Sequence, residues 1–372
     1  MFDAPIPRDP VAHMAAGAGD VPVHYFSPAA LDRRLASFGS GFPGLVTYAV
    51  KANPDEQVIA RLCAGGMTAF DVASPEEIAL VRRLCPGAAL HYNNPVRSRG
   101  EIAAGLAAGV ASWSVDCAGE LDKLTDLLPQ GAEIAVRFKL PVAGAAYDFG
   151  AKFGAEPEEA AELLAVVAAR GYGPALTFHV GTQNTDPGAW ETYLTAAADI
   201  ARRAGVRPGR VNVGGGFPAA RDGGAPDLAP FFAAIRRGAA AFDTSPALVC
   251  EPGRGLVADA FAYGVEVKSV RGSAIYLADG IYGGLSEFVS FALPRIRVVA
   301  PGGALRTAPP RPRTVWGPTC DSLDRIPGEV TLPGDLAEGD WLLFDGMGAY
   351  LNGVTTTFNG YGARRTVEVD RL

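Results

Sequence analysis

Leu45-Val46-Thr47-Tyr48-Ala49-Val50-Lys51 is an apolar, β-branched run, and after Asn53-Pro54 it gives way to a helical pattern from Asp55 to Ala64. One strand followed by one helix is the unit from which parallel sheets are built. The same unit recurs down the chain. Further β-type runs are Ala88 to Tyr92, Ser112 to Val115, Ile134 to Phe138, Ala175 to His179, Arg210 to Val213 and Ala247 to Glu251. Helical patterns alternate with them at Ser74 to Leu84, Arg99 to Gly109, Ala118 to Leu128, Pro157 to Arg170, Ala189 to Ala204 and Pro230 to Phe242. This spacing predicts an α/β fold with a (β/α)8 barrel over residues 26–255, a doubly wound open sheet being the alternative. After Glu251 the pattern changes to strands and turns: Ala260 to Arg271, Ser273 to Asp279, Ile296 to Val299, Arg313 to Trp316, Trp341 to Phe344 and Arg365 to Val369. A second, mostly β domain is therefore expected from residues 256–372, joined by residues 1–25 through the strand-like Val21 to Tyr25.

Composition narrows the class of function. The chain has 372 residues, 48% of them hydrophobic and 20% charged, as in an ordinary globular protein. Its formal net charge of -7 argues against a nucleic-acid partner, whose phosphates call for excess Lys and Arg. No apolar run is long enough to span a bilayer, and the start, MFDAPIPRDP, does not read as a signal peptide. The cysteines, Cys63, Cys85, Cys117, Cys250 and Cys320, are odd in number and scattered. They suggest neither a disulfide framework nor a metal site, so a cytoplasmic protein is the expectation.

In a barrel the chemistry sits at the C-terminal ends of the strands. Lys51, Asp71, Arg137, His179, Gly214-Gly215-Gly216 and Glu251 all fall at such ends. Each has a bland reading: a surface lysine, a core histidine, a tight turn, an ion pair between Glu251 and Arg254. Jointly they match what pyridoxal 5'-phosphate requires. The cofactor needs a lysine to carry it as a Schiff base, a carboxylate for its ring nitrogen, a glycine turn whose N–H groups meet the phosphate, and a flat face against the ring.

Several motifs carry a family resemblance. They are Tyr48-Ala49-Val50-Lys51-Ala52-Asn53, Phe178-His179-Val180-Gly181, Gly214-Gly215-Gly216-Phe217-Pro218 and Glu251-Pro252-Gly253-Arg254, then Trp316-Gly317-Pro318-Thr319-Cys320-Asp321-Ser322-Leu323-Asp324, Gly348-Ala349-Tyr350 and Thr357-Phe358-Asn359-Gly360. In this order they resemble the ornithine/lysine/diaminopimelate decarboxylase family, with its alanine-racemase-type fold, and most of all its ornithine decarboxylase branch. The resemblance runs from about Tyr25 to Tyr361. It implies a cytoplasmic enzyme of polyamine synthesis that removes the α-carboxylate of a basic L-amino acid. Lys51 would hold the cofactor, Glu251 would face its ring nitrogen and His179 its ring. Thr182, Gly215, Gly216, Arg254 and Tyr350 would surround the phosphate, with Asp71 and Arg137 nearby.

The resemblance also implies a homodimer with shared sites. Cys320 would come from the partner chain as proton donor, and Asp321 would bind the distal amine of the substrate. Lys152 and Asp324 would pair between subunits. Without its motif Cys320 reads as inert packing. Tyr282, in Asp279-Gly280-Ile281-Tyr282, would line the substrate pocket. The sequence departs from the family's pattern at Phe291, which stands where a second acid for the distal amine is expected. Glu287 is the nearby carboxylate able to take over that job. If Asp321 is the sole acid, selectivity among side chains should loosen, because a buried ammonium without a partner is costly.

Overall fold

The computed structural model describes residues 6–141, 150–220 and 226–372. The described residues form two compact units, one from Leu35–Pro218 with Pro226–Gly255, the other from the segments ending at Arg34 and beginning again at Leu256, together with Ala219 and Ala220. The boundary falls inside the helix Pro28–Gly41, so residues 26–34, expected with the barrel, group with the β-rich unit. The reason is local pairing: Phe26 lies opposite Phe261, Ser27 N–H donates to the Ala260 carbonyl, and Arg34 faces Asp259 at 3.8 Å.

The larger unit is a parallel barrel. Its strand segments run in the order Leu45–Val46, Ala247–Cys250, Arg210–Asn212, Gly173–Thr177, Glu133–Arg137, Ser112–Val115, Ala89–Tyr92, Ala69–Val72 and Tyr48–Ala49. The first and last segments are separated only by Thr47, so they are one interrupted strand and the ring closes on it. Thr47 bridges the interruption, because its N–H and its Oγ1 both donate to the Cys250 carbonyl, at 2.9 and 3.0 Å. Strand centres such as Leu90, Val115, Val136, Leu176, Val211 and Val249 are buried, as expected for strands packed on both faces. Ala69–Val72, read in the sequence only through the strand end at Asp71, is a strand of four buried residues.

The helices between strands start where local chemistry says they should. Asp55 and Ser74 accept backbone N–H bonds as N-caps, Ser98 and Glu101 form a reciprocal capping box, and Pro157 opens its helix at the first turn. Gly205, at φ 64°, ends the helix Gly188–Ala204.

The smaller unit is an eight-stranded sheet. Its spine is the strand Phe261–Arg271, antiparallel to Val23–Phe26, to Trp341–Asp345 and to Ala274–Leu277. The strand Val330–Pro333, which sequence pattern did not isolate, pairs with Pro310–Trp316. One core contains Tyr263, Val265, Ile275, Leu277, Leu342 and Phe344; a second contains Met14, Val23, Tyr25, Trp341 and Leu343. Alternate residues of Trp341–Asp345 thus feed opposite faces, as a pleated strand requires.

Candidate active site

The barrel unit gathers its polar residues at one end of the strands. The strand Tyr48–Ala49 runs into a tight turn, Val50–Ala52, which swings Lys51 out of the strand line. Lys51 Nζ lies 3.1 Å from Asp71 Oδ2, and the side chains are 48% and 2% exposed respectively. The amine is therefore open to a ligand while its counter-ion is buried. Arg137 closes the strand Glu133–Arg137, half-buried, with its guanidinium 5.2 Å from the Phe153 ring.

His179 follows the strand Gly173–Thr177 and is half-buried. Its Nδ1 accepts the Gly181 N–H at 3.0 Å, which leaves Nε2 as the protonated nitrogen of a neutral ring. Desolvation, then the charges of Arg137 and Lys51, push its pKa down to about 3. The imidazole is thus a flat neutral face throughout the physiological range.

Glu251 follows the strand Ala247–Cys250 and is buried. Burial, then the Asp71 carboxylate, drive its acid upward; Lys51, Asn212 and Arg137 act in the opposite direction. Its Oε1 accepts from Asn93 Nδ2 and from Asn212 Nδ2. Asn212 in turn accepts the Gly214 N–H on Oδ1 at 2.9 Å. Sequence reasoning missed both amides, although each sits at a strand end where barrel chemistry collects. It also missed Glu77, whose carboxyl accepts the Ala73 N–H at 2.7 Å. Burial first pushes that acid up, to about 7, with Asp71 adding to the shift.

The glycine turn has a geometric reason. Gly214 and Gly216 have φ of 67° and 89°. A Cβ at Gly215 would stand 2.6 Å from the Glu251 carbonyl and 3.4 Å from His179 Nε2; one at Gly216 would stand 2.2 Å from the Gly181 carbonyl. The turn is pressed against the His179 and Glu251 loops, and only glycine allows it. Gly216→Ala combines a left-handed φ with a backbone clash. It is expected to cost about 3 kcal/mol of stability and to weaken cofactor binding, both readable from denaturant unfolding with and without the cofactor. Thr182 is half-buried in the loop after Gly181, and Arg254 opens the buried turn Arg254–Val257.

The β-rich unit brings a second set together. Tyr282 OH donates to Asp321 Oδ2 at 2.5 Å, and Leu323 N–H donates to Asp321 Oδ1 at 2.9 Å. The Tyr282 bond, then the Leu323 N–H, hold the Asp321 carboxyl below its ordinary range. Cys320 Sγ and Cys320 N–H both donate to Asn359 Oδ1, at 3.3 and 3.2 Å. Cys320 and the neighbouring Leu323 and Phe358 are exposed, the last two unusual for large apolar side chains. Tyr350 is half-buried with φ 60°, in the left-handed region.

Glu287, Phe291 and Asp324 make contacts of their own. Glu287 is in the turn Ser286–Val289, and Phe291 N–H donates back to the Glu287 carbonyl at 3.0 Å. Neither is among the partners of the Asp321 carboxylate. Asp324, expected to pair with Lys152 of another subunit, is 1% exposed. Its oxygens accept Ile281 N–H, Thr319 N–H and Thr319 Oγ1–H at 3.0, 3.1 and 2.8 Å. It organises its own loops, and a Cβ on Gly280 or Gly317 would collide with it. Lys152 Nζ lies 4.9 Å from the Phe153 ring.

An open lysine over a buried acid, a neutral imidazole, a buried carboxylate and a glycine cradle around one barrel mouth fit pyridoxal 5'-phosphate group by group. Comparison with known proteins agrees. Residues 29–258 match the family described as pyridoxal-dependent decarboxylase, pyridoxal binding domain. The chain belongs to this family and is a pyridoxal-phosphate-dependent decarboxylase.

Among its relatives, ornithine decarboxylase of Mus musculus is 31% identical over 356 residues, 84% of this chain and 73% of the relative. Lysine/ornithine decarboxylase of Selenomonas ruminantium is 31% identical over 334 residues, 87% and 82% of the two chains. Among solved structures, the arginine decarboxylase of Paramecium bursaria Chlorella virus bound to agmatine superposes with a TM-score of 0.85 at 26% identity, covering 96% of this chain and 98% of that one.

Proposed function

We propose that this enzyme removes the α-carboxylate of a basic L-amino acid, ornithine or lysine first, to give the amine and CO2. The observation that carries this reading is Asp321 beside Cys320, its carboxylate fixed by Tyr282 OH and Leu323 N–H and so kept ionised. An oriented, ionised carboxylate is the natural partner of a distal ammonium.

When bound, the cofactor's ring withdraws electrons from the bond between the α-carbon and its carboxylate. The chain's own residues do the rest. Lys51 anchors the cofactor and Asp71 holds the amine in place. Glu251 would face the ring nitrogen, His179 would cover the ring, and Arg137 would lie near its hydroxyl. Thr182, Gly215, Gly216 and Arg254 would hold the phosphate, and the family resemblance adds Tyr350. Cys320, whose S–H points to Asn359 Oδ1, would deliver a proton to the α-carbon after CO2 has left. The exposure of Cys320 and its apolar neighbours in the single chain supports a homodimer in which they enter the partner's site.

Asp321 as the single acid at the distal end supports a second reading, a longer or modified basic side chain, with Phe291 in place of a second acid. A panel of ornithine, lysine, arginine and neutral amino acids, followed by CO2 release, tests both. A charge-assisted bond to the distal group is expected to raise kcat/KM about 100-fold over a neutral analogue of the same length. No CO2 from any diamino acid would overturn the first reading and leave the second.

A further inference from the structure

We propose that Asn93 and Asn212 are positioning residues that clamp one carboxylate oxygen of Glu251 and thereby hold this acid ionised toward the ring nitrogen of the bound cofactor. The inference rests on the assignment of Glu251 to that nitrogen.

The two amides come from different sides of the barrel. Asn212 ends the strand Arg210–Asn212, which pairs with the strand leading to Glu251. Asn93 follows Ala89–Tyr92, which does not pair with that strand. Both nevertheless reach the same atom, Glu251 Oε1, and both are buried. The orientation of Asn212 is not free. Its Oδ1 is taken by the Gly214 N–H, so it presents Nδ2, a donor, to Glu251. An oxygen that accepts two N–H bonds cannot also carry a proton comfortably, and the charged form is favoured.

The choice of amide has a chemical logic. Burial and the Asp71 carboxylate work to protonate Glu251. A Lys or Arg in the place of either Asn would restore ionisation, but it would also neutralise the acid and compete with the ring nitrogen for it. A neutral amide stabilises the carboxylate and leaves its charge for the cofactor. The clamp is also tied to the phosphate end, since Glu251 N–H donates to the Gly214 carbonyl at 2.8 Å while Asn212 holds the Gly214 N–H. One hydrogen-bonded unit therefore spans the ring-nitrogen acid and the glycine turn.

The test compares two cofactors on the full-length enzyme: pyridoxal phosphate and its analogue with C–H in place of the ring nitrogen. Asn93→Ala removes one donor. Asn212→Asp keeps the acceptor for Gly214 N–H and replaces the donor with a carboxylate oxygen, so it decides the matter if the alanine variant fails to fold. Glu251→Gln is the reference. Each variant is expected to weaken the apparent Kd for pyridoxal phosphate by about tenfold and to leave the Kd for the analogue unchanged, because the analogue has no nitrogen to protonate. If Glu251→Gln discriminates between the cofactors but the Asn variants weaken both equally, the clamp is overturned and Glu251 keeps its role. If Glu251→Gln itself treats both cofactors alike, the ring-nitrogen assignment falls and the clamp falls with it.

Discussion

Lys51→Ala is expected to yield a folded protein that has lost the absorbance band of the bound cofactor, near about 420 nm, and at least about 10³-fold in kcat. The loss should be this large because this amine, open and held 3.1 Å from buried Asp71, would supply the covalent anchor. The fold should survive for a reason visible in the same contact. Lys51 is nearly half exposed, so its pair with Asp71 is partly screened by water and contributes little to stability. Asp71 keeps its burial but gains room for solvent where the side chain was. Circular dichroism and denaturant unfolding separate the outcomes. A retained band would remove Lys51 as the anchor, whereas an unfolded variant would show that the Lys51–Asp71 pair carries the fold.

The barrel was legible because each strand–helix unit announces itself locally. Leu45 to Ala64 contains a complete strand, turn, cap and helix, and burial on both strand faces yields continuous apolar runs. Lys51, His179 and Glu251 could be read as a site because the end of a strand is visible in sequence and barrel ends hold the chemistry. What stayed hidden depends on distance across the bore. Nothing in the spacing of Asn93, Asn212 and Glu251 says that both amides reach one oxygen; the closure of the ring brings them there. Asn also carries little information by itself, since it serves turns and caps as readily as sites. Ala69–Val72 showed only as a strand end at Asp71, because the acid interrupts a run of four residues. Asp324 was assigned to another subunit on motif alone, while the structure turns its carboxylate inward onto Ile281 and Thr319. Conversely, Tyr282 and Asp321 were named separately for the substrate, and their direct bond emerges only once the loops after Asp279 and Trp316 meet.

Cys320→Ala is expected to lower kcat by about 10²–10³-fold, the usual worth of a positioned proton donor, with cofactor binding unchanged. The thiol is exposed in the single chain and its contact is the Asn359 side chain, so its loss costs the fold little. The sharper measurement mixes this variant with Lys51→Ala. Each parent preparation is nearly inactive, for different reasons. If a site takes Lys51 from one chain and Cys320 from the other, subunit exchange at equal concentrations makes half the dimers mixed. In a mixed dimer one site holds both defects and the other holds neither. Activity should then rise to about a quarter of the wild-type level. If both residues serve the same site within one chain, every site in every dimer carries one defect and the mixture stays as inactive as its components. Recovery depends on exchange, so it should grow with incubation time and vanish when the parents are cross-linked before mixing. A mixture that never recovers, with exchange demonstrated independently, would overturn the shared site and assign Cys320 to the site of its own chain.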